Sequence, residues 1–80
     1  MIVTGPSRTT EVYGEVPFGI VNGVNPIFTT SLPFRPSSER LYLNGVRQHR
    51  TGDYTVTPPT TLTFVRAPRV NDVLLVDYLR

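Results

Sequence analysis

The sequence has no cysteine, no tryptophan and no lysine. Without cysteine there are no disulfide staples, no thiolate metal ligands and no thiol nucleophile. Without lysine, all eight basic residues are arginine, set against six acidic residues for a net charge of +2. That balance is too mild to make nucleic acid the leading partner. No apolar run approaches the length that crosses a bilayer, so no membrane contact is expected. The opening stretch, Met1-Ile2-Val3-Thr4-Gly5-Pro6-Ser7-Arg8, lacks a charged head followed by an apolar segment, and no signal peptide is expected. The chain is also short. Its 80 residues make one domain, which on folding would bury roughly 60–65% of the unfolded surface. A core that thin leaves a well-made β-core, or assembly with other copies, as the routes to stability.

Eight prolines and six glycines interrupt any long helix, and eleven threonines favour strands. No helix is predicted. Residues 1–11 are polar and aperiodic, and are expected to form a flexible N-terminal arm before a single β domain over residues 12–80. In residues 12–21, apolar side chains are broken by Gly14, Pro17 and Gly19. A short edge strand or irregular lead-in fits there, because proline cannot donate to a ladder. Asn22-Gly23 marks a turn. Ile27 through Leu32 is strand-like, with Phe28, Thr30 and Leu32 on one face, and the Pro33–Ser38 stretch is a loop.

Asn44-Gly45 gives the sharpest local signal. A two-residue Asn-Gly link between strands closes a hairpin, because both central residues must take positive φ. The register follows: Leu43 faces Val46, Tyr42 faces Arg47, and Leu41 faces Gln48. One face then carries Leu41, Leu43, Val46 and Gln48 and is expected in the core. The other carries Arg40, Tyr42, Arg47 and His49, a basic and aromatic surface. A second hairpin runs from Asp53–Thr57 to Thr61–Val65 across Pro58-Pro59-Thr60. Pairing Thr57 with Thr61 sets Tyr54, Val56, Leu62 and Phe64 inward and Asp53, Thr55, Thr57, Thr61 and Thr63 outward, toward water. The last strand, Val73–Leu79, is apolar on both faces: Leu74, Val76 and Tyr78 on one, Val73, Leu75 and Leu79 on the other. Such a strand calls for cover on both sides, from the N-terminal segment or from another subunit.

These pieces in this order resemble a short β-module that recurs in tailed-phage virion proteins, including tail-fibre, baseplate, neck and head-decoration polypeptides. The matching stretches are Asn22-Gly23-Val24-Asn25 with Phe28, Leu41-Tyr42-Leu43-Asn44-Gly45, Asp53-Tyr54-Thr55-Val56, Leu62-Thr63-Phe64, Ala67-Pro68, and Asp72 through Val76 to Tyr78. The likeness spans about residues 15–79. Two turns depart from the usual pattern: Asn71 and Pro58-Pro59 stand where the module often has glycine. Both remain compatible with turns. Long chains that carry such modules have other domains beside them, so the resemblance implies a small independent virion protein.

No constellation in the sequence spells out catalysis. His49 is the sole histidine, and Ser31, Ser37 and Ser38 have no nucleophile-elbow context. The six carboxylates match no metal loop, and Asp53 and Asp72 sit where turn hydrogen bonds need an acceptor. Asn22-Gly23 and Asn44-Gly45 precede no helix and so offer no phosphate cradle. Arginine and tyrosine together suit a protein interface, although an arginine-biased composition accounts for part of the set. The expected partner surface is Arg40, Tyr42, Arg47 and His49, with Val73 and Leu75 as surplus apolar residues.

The expected fold is therefore all-β, a small antiparallel β-sandwich or partly open β-barrel of five to seven strands. The expected function is non-enzymatic, with no cofactor and no metal. By resemblance it is a virion structural protein, foremost a capsid decoration or cement protein contacting the major capsid protein, and a homo-oligomer such as a trimer. Alternatives are a tail-tip or tail-fibre receptor- or glycan-binding module, with Tyr13 or Tyr42 as a platform, and a neck or tail joining protein.

Overall fold

The Asn44-Gly45 link closes as the hairpin rule requires, with φ of 52° and 82°. It joins Arg40–Leu43 to Val46–Arg47, with Tyr42 opposite Arg47 and Leu43 opposite Val46. The Gln48 amide donates to the Leu41 carbonyl at 2.8 Å, carrying the expected register one pair further. The second hairpin, Tyr54–Thr57 with Thr61–Phe64, also has the expected register, Thr57 facing Thr61 and Tyr54 facing Phe64.

The computed structural model describes residues 11–80; residues 1–10 of the expected arm lie outside these. The strands in chain order are β1 (Glu11–Glu15), β2 (Ile27–Thr29), β3 (Arg40–Leu43), β4 (Val46–Arg47), β5 (Tyr54–Thr57), β6 (Thr61–Phe64) and β7 (Leu74–Leu79). They form two antiparallel sheets, one of four strands ordered β1-β7-β3-β4 and one of three ordered β2-β6-β5. The fold is all-β, and no helix occurs among the described residues.

Both sheets feed one core. Leu41, Leu74, Val76 and Tyr78 come from the first, Phe28, Leu62, Phe64 and Tyr54 from the second, and Phe34 from a loop. Phe28 meets Phe64 edge to face, with ring centroids 5.7 Å apart. Full burial of each large apolar side chain stabilises by roughly 1.5–3 kcal/mol.

Several expectations are corrected. Glu11, assigned to the arm, opens β1. The strand from Ile27 stops at Thr29: Thr30 turns away, its amide donating to the Thr60 carbonyl and its hydroxyl to the Leu32 carbonyl. Phe28 and Thr30 are buried, but Leu32 is exposed. On the first hairpin only Leu41 is fully buried, Leu43 and Gln48 are half-buried, and Val46 is 63% exposed. The reason is position: β4 is a two-residue strand at the sheet edge, with no further strand beyond it. Val56 is half-buried for the same reason, on the edge strand β5. Among the described residues, no N-terminal strand lies over β7. Instead β1 lies beside it in the sheet.

Turns follow side-chain chemistry. Asn22 Oδ1 accepts from the amides of Val24 and Asn25, both at 2.8 Å. Asp72 accepts from the Arg69 amide and from Asn44 Nδ2, and Asp53 accepts from the His49 amide. Asn71 has a φ of 76°, a left-handed conformation that asparagine tolerates well. That explains why it can stand where a glycine is common.

Glu15 ties β1 to its surroundings. Its carboxylate accepts from the Ser31 amide, the Ser31 hydroxyl and the Tyr78 hydroxyl, each at 2.7 Å. Burial pushes this carboxyl up, but the bonds from Tyr78 and Ser31 outweigh it and hold the group below its ordinary value. Burial, with the bond to Glu15, raises the Tyr78 hydroxyl.

One glycine is fixed by packing. A Cβ on Gly19 would sit 2.4 Å from Cδ2 of the buried Phe28 ring, whereas one on Gly23 would meet nothing within 4 Å. Both have positive φ. Gly19→Ala is therefore expected to destabilise by about 2–3 kcal/mol, overpacking added to backbone strain, and Gly23→Ala by about 1 kcal/mol. Urea unfolding of the two variants checks the difference.

Candidate partner surface

Alternation along β3 and β7 decides which side chains share the outer face of the four-stranded sheet. Leu41, Val76 and Tyr78 face the core, so Arg40 and Tyr42 on β3, and Leu75 and Asp77 on β7, face out. Tyr42 lies opposite Leu75 on one side and Arg47 on the other, and Arg40 lies opposite Asp77. Four of the expected residues, Arg40, Tyr42, Arg47 and Leu75, thus sit side by side. Arg40 and Arg47 are exposed, and Tyr42 and Leu75 are half-buried. Val73 precedes β7 on the same outward phase and is 55% exposed. It is held at the hairpin tip, where its amide donates to Asn44 Oδ1 and its carbonyl accepts from the Asn44 amide, both at 2.8 Å.

His49 lies past the paired strands. The ladder ends at Gln48, and the chain turns through His49–Asp53, with the Asp53 amide donating to the His49 carbonyl at 2.7 Å. His49 lines a hollow of about 530 Å³, together with Arg47, Arg50, Thr51, Glu39 and Tyr54.

At the base of that hollow is a feature the residue pattern did not single out. Glu39 is 1% exposed. Its Oε2 accepts from Arg50 Nε at 2.6 Å and from the Tyr54 hydroxyl at 2.9 Å, while its Oε1 has no partner among the described residues. Alternation carried the signal: residue 39 shares the inward phase with Leu41, so an acid there must bring its own donors into the core. Tyr54, counted as core, likewise has a hydroxyl that needs a partner. Burial, with the bond to Glu39, raises the Tyr54 hydroxyl to about 12. The bond to Glu39 raises Arg50 against a smaller opposing effect of burial. Thr51, a β-branched residue, has a φ of 69°, which places local strain beside the ion pair.

On the far side of the same outer face, Glu11, Tyr13, Ser37, Ser38, Arg40 and Asp77 surround a hollow of about 360 Å³. Asp77 Oδ1 accepts from the Gly14 amide at 2.7 Å, which fixes this corner of β1. Among the described residues, no three His, Cys, Asp or Glu side chains come together in a metal-binding group.

Comparisons with protein-family models, with curated proteins and with solved structures found no match to this chain.

Removing Arg50 would leave the Glu39 carboxylate buried against a single hydroxyl. Breaking a fully buried pair costs about 3–5 kcal/mol. Arg50 is 39% exposed, so water can partly replace it, and Arg50→Ala is expected to cost about 2–3 kcal/mol. The double change Glu39→Leu with Arg50→Leu should recover most of that loss, as read by denaturant unfolding.

Tyr54 sets an alkaline limit. Its folded value of about 12 lies above its ordinary 10, so the fold favours the neutral phenol. That contribution is complete below pH 10 and is lost as pH rises through about 12. Stability measured across this window should fall, and Tyr54→Phe should fall less steeply.

Proposed function

We propose that the protein is a non-enzymatic structural component of a tailed-phage virion, a decoration or cement protein on the capsid. The observation that carries this reading is the outer face of the four-stranded sheet, where Arg40, Tyr42, Arg47 and Leu75 lie together on paired strands. The resemblance of residues 15–79 to the phage β-module supplies the setting.

The chemistry suits a shell of acidic and apolar surfaces. Arg40 and Arg47 present planar guanidinium forks that match carboxylates on two bonds each. Tyr42 and Leu75 between them supply apolar area whose removal from water is worth about 25 cal/mol per Å². Strand backbones hold the four residues at fixed spacing, so docking orders side chains but no backbone. A small domain seated across neighbouring shell subunits adds buried area to each and raises the barrier to their separation.

A second reading has one observation in its favour. Tyr13 is 69% exposed at the rim of the hollow with Ser37, Ser38, Arg40 and Asp77. An aromatic face beside hydroxyl and carboxylate groups suits a glycan, as in a tail-tip receptor-binding module.

The test is made on virions. The protein should be present in proportion to shell subunits, and shells lacking it should burst at lower temperature. Wild-type protein added back should restore the temperature, and protein carrying Arg40→Ala with Arg47→Ala should not. A few copies per particle, with unchanged shell stability and binding to host polysaccharide, would favour the tail-tip reading instead.

A further inference from the structure

We infer that the hollow of about 530 Å³ beside the first hairpin is a binding site for a carboxylate side chain of an acidic protein partner, held by Arg47 and Arg50. The inference rests on the residues of the hollow and not on the virion reading.

The site begins with how Arg50 is spent. A guanidinium can hold a carboxylate with two parallel bonds, one to each oxygen. Arg50 gives Glu39 only one, from Nε to Oε2 at 2.6 Å, and that oxygen also accepts from the Tyr54 hydroxyl. Oε1 is buried and has no partner among the described residues. The second bond of the fork is thus unmade, and the two Nη groups of Arg50 form no hydrogen bond among the described residues. A buried acceptor left unpaired calls for a reason. Stability does not supply one, because two apolar residues of similar volume often serve a core as well as a buried ion pair. What apolar residues cannot supply is a guanidinium fixed at Nε by a carboxylate in the core, with its outer edge unspent. Arg50 is 39% exposed and lines the hollow.

Two further donors border the same space. Arg47 is exposed on β4, and its guanidinium forms no hydrogen bond among the described residues. His49 is tied down through its backbone, where its amide donates to Asp53 Oδ2 and its carbonyl accepts from the Asp53 amide. Its ring lies against Gly52, where a Cβ would come within 3.0 Å of Nδ1. The ring nitrogens have no partner among the described residues.

Charge selects the ligand. Arg47 and Arg50 bring two positive charges, Glu39 brings one negative charge, and no other acid lines the hollow. Asp53 lines a different hollow, with Phe64 and Arg66. The excess of one positive charge is what a single carboxylate neutralises. A phosphate ester would bring about −1.5 to −2 against Glu39. The guanidinium fork is planar and matches the two oxygens of a carboxylate. The hollow is larger than a lone carboxylate, with room for the side chain that carries it. An aspartate or glutamate in a partner's loop fits this description.

The experiment is a titration of the full-length chain at pH 7, followed by two-dimensional NMR. The probe is glutamate blocked at both ends, with ionic strength held constant because salt screens exposed charges. Saturable shifts should map to residues 47–51 and to the Arg50 Nε–H, with a Kd of about 1–10 mM, the range open to one small carboxylate. Blocked glutamine should give no saturable shift, and inorganic phosphate should bind more weakly than blocked glutamate. Arg47→Ala should weaken binding by about five-fold or more. Arg50→Lys should do the same, because lysine keeps a charge for Glu39 but has no fork to share. Arg66→Ala removes the same charge elsewhere and should leave the Kd unchanged. Arg47 lies on an exposed edge strand, so its variant keeps the test standing if the lysine variant unfolds. Shifts spread evenly over the arginines, an equal response to blocked glutamine, tighter binding of phosphate, or equal losses from Arg47→Ala and Arg66→Ala would overturn the inference.

Discussion

β7 is hydrogen-bonded along both edges, to β1 and to β3, and the rest of the structure depends on that double pairing. Its alternation sorts side chains into two sets. Leu74, Val76 and Tyr78 complete the core, while Leu75 and Asp77 meet Tyr42 and Arg40 on the outside. Its polar atoms reach further: Asp77 holds the Gly14 amide, and the Tyr78 hydroxyl donates to Glu15. One strand therefore anchors the chain's first strand, closes the core and assembles the arginine face. Packing beneath accounts for Leu74, Val76 and Tyr78, while Val73 and Leu75 remain uncovered apolar residues on the outer face.

The local part of this was legible in the residues. Asn44-Gly45 and the Thr57–Thr61 pairing fix register through short-range geometry, and both hairpins follow it. The pairing of β3 with β7 joins residues far apart in the chain, from Leu43 with Leu74 to Arg40 with Asp77, and no turn residue encodes such a partner. The bland inference that Val46 belongs in the core failed because alternation tells which side a residue faces, not whether anything lies there. His49 lies beyond the paired strands because the ladder ends at Gln48, and strand length is set by the partner strand rather than by local sequence. Of the expected surface, Arg40, Tyr42, Arg47 and Leu75 came together because their positions follow from the first hairpin and from one phase of β7.

Two features went unread for opposite reasons. Glu39 was counted among scattered acids, yet its phase with Leu41 placed it inside, where Arg50 and Tyr54 must meet it. Alternation alone makes the outward residues of β5 and β6 a solvent-facing side. Only the structure adds β2 and the exposed Val16, Phe18 and Ile20 to them, and so turns two polar strands into a broad uncharged face. The molecule thus presents unlike surfaces on its two sheets, one forked with arginine and one neutral.

Imaging of purified virions tests the proposed cement role most directly. Density is expected over the capsid at junctions between shell subunits, with Arg40 and Arg47 against carboxylates. Density confined to the tail tip, or a shell contact made through the three-stranded sheet with the arginine face left free, would contradict it.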